Sequence, residues 1–335
     1  VVISFLIIIQ ENKMENNNIM VSIIMPVYNH ERYLKEAIES VINQKVTFKI
    51  ELLIGEDCSP DHSRDLCRYY DNKYDFIKVC YREKNMGAMS NIYDLSCRAQ
   101  GKYIASLEGD DYWNDNNKLQ KQVDFLESNG DYIGCCHQFD VVDEKGLKYY
   151  DRDVECQFFK GEIYTKKEFE KGILPSHINA LVFKNIYKDE SIDTGFLCDF
   201  SNLLGDITIV SILIRQGKIY CFPDVMSCYR KVIDSGSSFS ARNEHNNIRD
   251  KIFESQMYLQ NKFNGEISFA ARKKAVFASA VFKWYRSKDK RDYQVVRNII
   301  NGSKQQLLYT IYFAYLVSAK KVVSLLFKED KRIRF

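Results

Sequence analysis

Glycine and proline are scarce, 15 and 4 in a chain of 335 residues, which excludes collagen-like and low-complexity sequences. No apolar run approaches the about 20 residues needed to span a bilayer. No Gly-x-x-x-x-Gly-Lys-Ser/Thr loop occurs, and no Gly-x-Gly-x-x-Gly follows a strand-like run. Walker-type NTPases and dinucleotide-dependent dehydrogenases therefore lose their phosphate cradle. Neither charge sign is in marked excess. The net charge of +3 does not mark a nucleic-acid binder, and nucleic acid is not an expected partner. The ten cysteines contain no Cys-x-x-Cys pair and no Cys/His group with zinc-ligand spacing. Scattered through apolar and helical surroundings, they are expected to be mostly free, buried thiols in a reducing cytoplasm.

What is present is an ordinary globular balance, 45% hydrophobic and 28% charged residues, in a chain long enough for one large domain or two ordinary ones. The opening apolar stretch, residues 1–9, has no basic segment before it and no small-residue cleavage site after it, so it is not read as a secretory signal. With Met14 or Met20 as natural starts, residues 1–19 are expected to form an extension outside the fold. A short membrane-touching segment is the rival reading.

Residues 21–25 form a β-branched apolar run stopped by Pro26, which predicts a buried strand. Leu34, Ala37, Ile38, Val41 and Ile42 follow helical spacing and predict a helix over 31–44. Further strands are predicted over 50–54, 77–81 and 103–107, with helices over 63–70, 89–98 and 118–126. Such alternation implies a parallel sheet covered on both faces, whose ligands bind beyond the carboxyl ends of the strands. Those ends carry Pro26-Val-Tyr-Asn29, Glu56-Asp-Cys-Ser59, Asn85-Met-Gly87 and Glu108-Gly-Asp-Asp111. The second half is less regular, with hairpin-like fragments over 140–175, a strand over 178–183, a helix over 206–215, a short strand over 219–222 and helices from about 245 onward.

With no glycine-rich cradle, phosphates need another source of positive charge. Neighbouring carboxylates such as Asp110 and Asp111 can hold a hard divalent cation that bridges two phosphates. Capping the next helix is the plainer role for such a pair. Its position at a strand end, beside Asp57 at a neighbouring one, shifts the balance to binding.

The motifs Val21-Ser-Ile-Ile-Met-Pro-Val-Tyr-Asn29, Ser40-Val-Ile-Asn-Gln44, Glu51-Leu-Leu-Ile-Gly-Glu-Asp-Cys-Ser59, Asn85-Met-Gly87 and Gly101-Lys-Tyr-Ile-Ala-Ser-Leu-Glu-Gly-Asp-Asp-Tyr-Trp113 occur in this order. Together they resemble a family-two glycosyltransferase of bacterial surface-polysaccharide type, over roughly residues 20–130. The resemblance implies an α/β, Rossmann-like GT-A fold: a mostly parallel central sheet flanked by helices, with a helical C-terminal extension. It divides the chain into a nucleotide-sugar-binding half (20–130), an acceptor-binding half (131–244) and a helical region (245–335).

It also implies site roles. Pro26, Val27 and Tyr28 would line the base pocket, Asp57 would accept a hydrogen bond from uracil, and Asn85 and Gly87 would shape the adjoining loop. Asp110 would reach the ribose or the metal, and Asp111 the metal, Mn2+ or Mg2+. Glu108 stands where the commoner Asp-x-Asp pattern has its first Asp. Asp206 is the candidate base, with a helix N-cap as its plainer role and Asp199 in reserve. Arg230, with Tyr229, matches the segment that meets the diphosphate in relatives. Val232 stands where relatives often carry His, leaving Lys231 or Arg242 to replace that contact. His177 is assigned either to the acceptor sugar or to a local structural bond, and Tyr112 and Trp113 either to a sugar face or to the core.

The expected activity is inverting, metal-dependent transfer of a sugar from a UDP-sugar to a hydroxyl of a glycan or lipid-linked acceptor. A catalytically degenerate sugar-nucleotide-binding or scaffold protein is the alternative. The apolar stretch 307–317, followed by Lys320, Lys321, Lys328, Lys331, Arg332 and Arg334, suggests either peripheral membrane association or packing. A cytoplasmic location, at the inner face of the membrane, follows from that reading.

Overall fold

The structure, a computed structural model, describes residues 19–151, 154, 157–198, 205–232, 248–287, 290–301, 308 and 311–318. Asp199, Arg242, Cys156, the extension 1–18 and the basic residues from Lys320 onward lie outside the described residues. The chain divides into two compact units. One holds residues 1–169 and 173–247, the other residues 170–172 and 248–335.

The first unit is built on a nine-stranded sheet: β1 (Val21–Val27), β2 (Ile50–Glu56), β3 (Ile77–Tyr81), β4 (Tyr103–Ser106), β5 (Tyr112–Trp113), β6 (Tyr132–Val142), β7 (Ile163–Tyr164), β8 (Val182–Lys184) and β9 (Lys218–Arg230). The strand order is β3-β2-β1-β4-β8-β6-β9-β5, with β7 also on β9. Every residue of β1 is buried, as its β-branched run requires of a strand covered on both faces. It is flanked in parallel by β2 and β4, and β3 extends the parallel set. Connecting helices are α1 (Leu34–Ile42), α2 (Ser63–Lys73), α3 (Ala88–Arg98) and α4 (Lys118–Ser128). Leu34, Ala37, Ile38 and Val41 of α1 enter the same core as Ile23 and Met25.

The sheet departs from the mostly parallel arrangement expected. Beyond β4 it is mixed: β8 runs antiparallel to β4 and β6, β9 runs parallel to β6, and β5 and β7 run antiparallel to β9. Long β9 was legible only as far as Phe222, because a proline interrupts it. In the structure His137 opposes Phe222 and Gln138 opposes Val225, so Pro223 and Asp224 bulge out where a missing N–H costs no ladder bond. Pro26 likewise sits within β1, opposite Gly55, instead of ending it. The expected strand over 178–183 is a 3-10 turn, Ile178–Ala180, followed by β8. Helices α5 (Lys166–Glu170) and α6 (Gly205–Gln216) complete the set, α6 with Ile207 to Ile214 buried.

The eight described cysteines whose state is defined are free thiols, five of them buried. Lys118, also fully buried, lies with its ammonium 4.0 Å from the centroid of the Trp113 ring. Trp113 is 3% exposed and donates its Nε1–H to the Asn179 carbonyl at 2.9 Å, so it is core rather than sugar platform.

The second unit contains α7 (Ile248–Lys262), α8 (Ala270–Ser287) and α9 (Lys290–Asn301), with a core of Phe277, Val281, Val296, Ile299 and Leu316. The tail is helical over 311–318 and packs through Phe313 on Trp284, while Leu308, Ile311, Tyr312 and Tyr315 are exposed. Among the described residues no helix is long and apolar enough to cross a membrane.

Candidate active site

The carboxyl ends of β1, β2 and β4 converge. Asp57 follows β2 and is 2% exposed. Its backbone N–H donates to Val27 O at 2.9 Å, and its carboxylate accepts from the backbone N–H groups of Met86 (2.8 Å) and Gly87 (3.0 Å). Gly87 has φ of 85° and immediately precedes α3, so Asp57 fixes the Asn85–Gly87 loop that leads into that helix. The Asn85 side chain also accepts from Gly87 N–H, at 3.0 Å. Asn29 is held at φ 60°, its N–H donating to Ser59 Oγ at 3.1 Å. This places Pro26, Val27 and the half-buried Tyr28 beside the Asp57 loop.

After β4, Gly109 N–H donates to Pro26 O at 3.3 Å, and Asp111 N–H to Glu108 O at 3.1 Å, forming a turn. A Cβ on Gly109 would lie 2.6 Å from His30 Nδ1, so the His30 ring occupies the space a side chain would need. That Nδ1 is buried and has no hydrogen-bond partner, while Nε2 lies 3.8 Å from Asp110 Oδ2. Asp110 thus faces His30, and Asp111 turns inward.

Asp111 is 1% exposed. Its carboxylate accepts from Arg230 N–H at 2.7 Å and from Asn179 Nδ2 at 3.0 Å. The pairing of β5 with β9, Tyr112 opposite Cys228, brings Arg230 there. His177 Nδ1 stands 3.6 Å from Asp111 Oδ2, and its ring lies on Tyr229 at 4.3 Å between centroids. Glu108, Asp111 and His177 each offer a ligand atom within 4.8 Å of the others. Burial, with Asp110 and Glu108 adding repulsion, raises the Asp111 pKa well above the usual carboxylate range; its two donors oppose the rise. Burial lowers the His177 pKa against the pull of Asp206, which favours the neutral, ligating imidazole. Two carboxylates and a neutral imidazole, one carboxylate buried without a cationic side chain on it, fit a divalent cation of the Mn2+ type.

Asp206 is the second residue of α6 and half-buried. Burial raises its pKa and His177 opposes the rise. A helix N-terminus alone would lower it. The direction is therefore that of a carboxylate made more basic by its surroundings.

Arg230 is turned into the protein. Its guanidinium donates to Glu36 Oε2 (2.6 Å), Asp110 O (3.0 Å), Asp143 O (3.1 Å) and Glu144 O (3.3 Å), and lies over the Tyr33 ring at 4.7 Å. It ties α1, the Asp110 turn and the loop after β6 together. Glu36, His30 and Asn179 carry no motif that marks them in the sequence. His177, open to two roles in the sequence, and Glu108, a departure from the Asp-x-Asp pattern, are both brought to Asp111 by the fold.

The family model described as Glycosyl transferase family 2 matches residues 22–190. An uncharacterized protein of Mycobacterium tuberculosis is 35% identical over 128 residues, 38% of this chain and 37% of its own. The putative teichuronic acid biosynthesis glycosyltransferase TuaG of Bacillus subtilis is 38% identical over 113 residues, 34% of this chain and 44% of its own. The chain thus matches less than half the length of these two relatives. The crystal structure of S. aureus TarS 1-349 in complex with UDP-GlcNAc aligns with a TM-score of 0.57 at 17% identity, covering 84% of this chain and 80% of that one, a likeness of fold.

Proposed function

We propose, from the premise that this chain belongs to glycosyl transferase family 2, that it is an inverting, divalent-cation-dependent glycosyltransferase that uses a UDP-sugar. The acceptor is a hydroxyl of a glycan or lipid-linked sugar in surface-polysaccharide assembly. The name of TuaG and the UDP-GlcNAc held by TarS support these choices. The observation that carries the reading is the convergence of Glu108, Asp111 and His177 beyond the end of β4.

In this reading residues 20–130 hold the nucleotide and residues 131–244 the acceptor. Pro26, Val27 and Tyr28 border the base, with Asp57, Asn85 and Gly87 forming the loop beside it. Asp110 faces the ribose side. The acceptor oxygen attacks the anomeric carbon, its proton passes to Asp206, and the bond to the diphosphate oxygen breaks. Glu108, Asp111 and His177 would hold a divalent cation, Mn2+ or Mg2+, which would supply positive charge against the leaving diphosphate. Arg230 holds Asp111 and the Asp110 turn in place. The protein works on the cytoplasmic side of the membrane, and the exposed apolar residues of the tail support peripheral attachment.

Calorimetry of UDP with Mn2+ and with chelator tests the reading. UDP is expected to bind at least tenfold tighter with Mn2+, and Asp111→Asn to abolish the difference. Equal affinity under both conditions in the wild type would remove the metal from the mechanism.

A further inference from the structure

A groove of about 520 Å³ runs along β6 and β9, lined by Gln138, Phe139, Asp140, Lys148, Tyr149 and Tyr150 among others. That volume falls within the roughly 300–1,000 Å³ of small-ligand sites. Tyr150 is 78% exposed, and Leu147 and Val225 are exposed nearby in the chain or on the groove.

We propose that this groove is a subsite for the sugar rings of an acceptor glycan adjoining the hydroxyl under attack. The proposal rests on the glycosyl-transfer reading above. Three observations carry it. The first is proximity: Phe139 is among the residues lining the groove, and its buried ring lies 5.6 Å from that of His177, which belongs to the Asp111 cluster.

The second is rigidity. After β6 the chain reverses at Asp143, whose side chain accepts from Lys145 N–H and Leu147 N–H, and Tyr149 N–H donates back to Val141 O at 3.1 Å. Arg230 clamps the carbonyls of Asp143 and Glu144, and Lys231 pairs with Asp151 at 2.6 Å. The two tyrosines are therefore anchored on both sides by Arg230, the last residue of β9, and by Lys231 just after it, and Arg230 also holds Asp111.

The third is chemistry. Tyrosine rings offer flat, amphipathic faces at low entropic cost, suited to the C–H faces of pyranoses. Lys148 bonded to Asp140 (2.6 Å) and Lys160 to Gln138 (3.1 Å) set donors and acceptors side by side, suited to hydroxyl groups. A free diphosphate would call for uncompensated cations, and a lipid chain for a longer apolar surface.

Binding of three probes tests this: a tetramer of N-acetylhexosamine, a tetramer of uronic acid and a tetramer of glycerol phosphate, each titrated with and without UDP and Mn2+. At least one saccharide is expected to bind the wild type. The variant Tyr149→Ala/Tyr150→Ala should lose about tenfold or more in that affinity and leave UDP–Mn2+ affinity within twofold. The corresponding double Phe variant should retain saccharide binding. Saccharide affinity unchanged in the double Ala variant would overturn the subsite. So would a wild type that binds neither saccharide, or only glycerol phosphate. Failure of UDP to bind overturns the donor reading instead, because the saccharide titrations without nucleotide still judge the groove.

Discussion

His177 Nδ1 lies 3.6 Å from Asp111 Oδ2, which joins the turn after β4 to a segment far along the chain. The contact depends on Asn179, which donates to Asp111 at 3.0 Å and to Cys228 O at 3.3 Å and accepts from Ser227 Oγ at 3.0 Å. A 3-10 turn only three residues long thus sets the imidazole against the carboxylate. The turn after β4, the segment 177–179 and the end of β9 share one buried polar network, in which each member needs its partner to remain buried without cost.

Asp206→Asn keeps size and the capacity to accept a bond at the start of α6, but removes the carboxylate proposed as the proton acceptor. The transfer rate is expected to fall by ~10²–10⁴-fold with UDP affinity nearly unchanged. Steady-state kinetics beside UDP calorimetry checks this. Near-wild-type turnover would exclude Asp206 as the base.

Burial brings the Lys118 ammonium from its ordinary 10.5 down to about 7. Between those values the unfolded chain binds more protons than the folded one, so the contribution of this group to stability rises with pH across that window. Lys118→Met removes the effect. The variant is expected to exceed the wild type by on the order of a few kcal/mol at pH 7, with the gap closing as pH approaches 10. Urea unfolding of both proteins at pH 7 and 9.5 measures the gap; other titrating groups are common to both. A gap independent of pH would contradict the assignment.

Gly109→Ala sets a methyl against His30 Nδ1, 2.6 Å away, and forces the turn bearing Asp110 and Asp111 to shift. Overpacking of this kind costs ~1–3 kcal/mol. UDP–Mn2+ affinity is expected to fall about tenfold. Adding His30→Ala should restore most of it, because the ring is the nearest obstacle. Strictly additive losses in the double variant would show that the ring is not what excludes the side chain.

The parallel half was legible because its signals are local. Buried strands such as β1 read as unbroken β-branched runs, and α1 shows its apolar face at helical spacing. The position of Asp57, Asp110 and Asp111 beyond strand ends was legible because strand ends can be located once strands are. The mixed half was not legible, for identifiable reasons. β9 carries a proline that only a bulge across from β6 accommodates, and neither strand shows the bulge alone. His177 gains its place from Asn179 and Asp111, which are remote in sequence from one another. Arg230 was singled out, but its partners Glu36, Asp143 and Glu144 depend on how α1 and the loop after β6 meet it.

The bonds of Arg230 also order events during synthesis. Residues 22–190, which carry the family match, end before β9 has been made. A nascent chain of that length can pair β1 with β2 and β4, and β2 with β3, yet Asp111 then lacks its donor from Arg230 N–H, and Glu36 lacks the guanidinium. The sheet can therefore form ahead of the chemistry. The carboxylate cluster reaches its final geometry only when a late strand is threaded beside β6, so premature termination upstream of β9 would leave a partly folded, inactive protein.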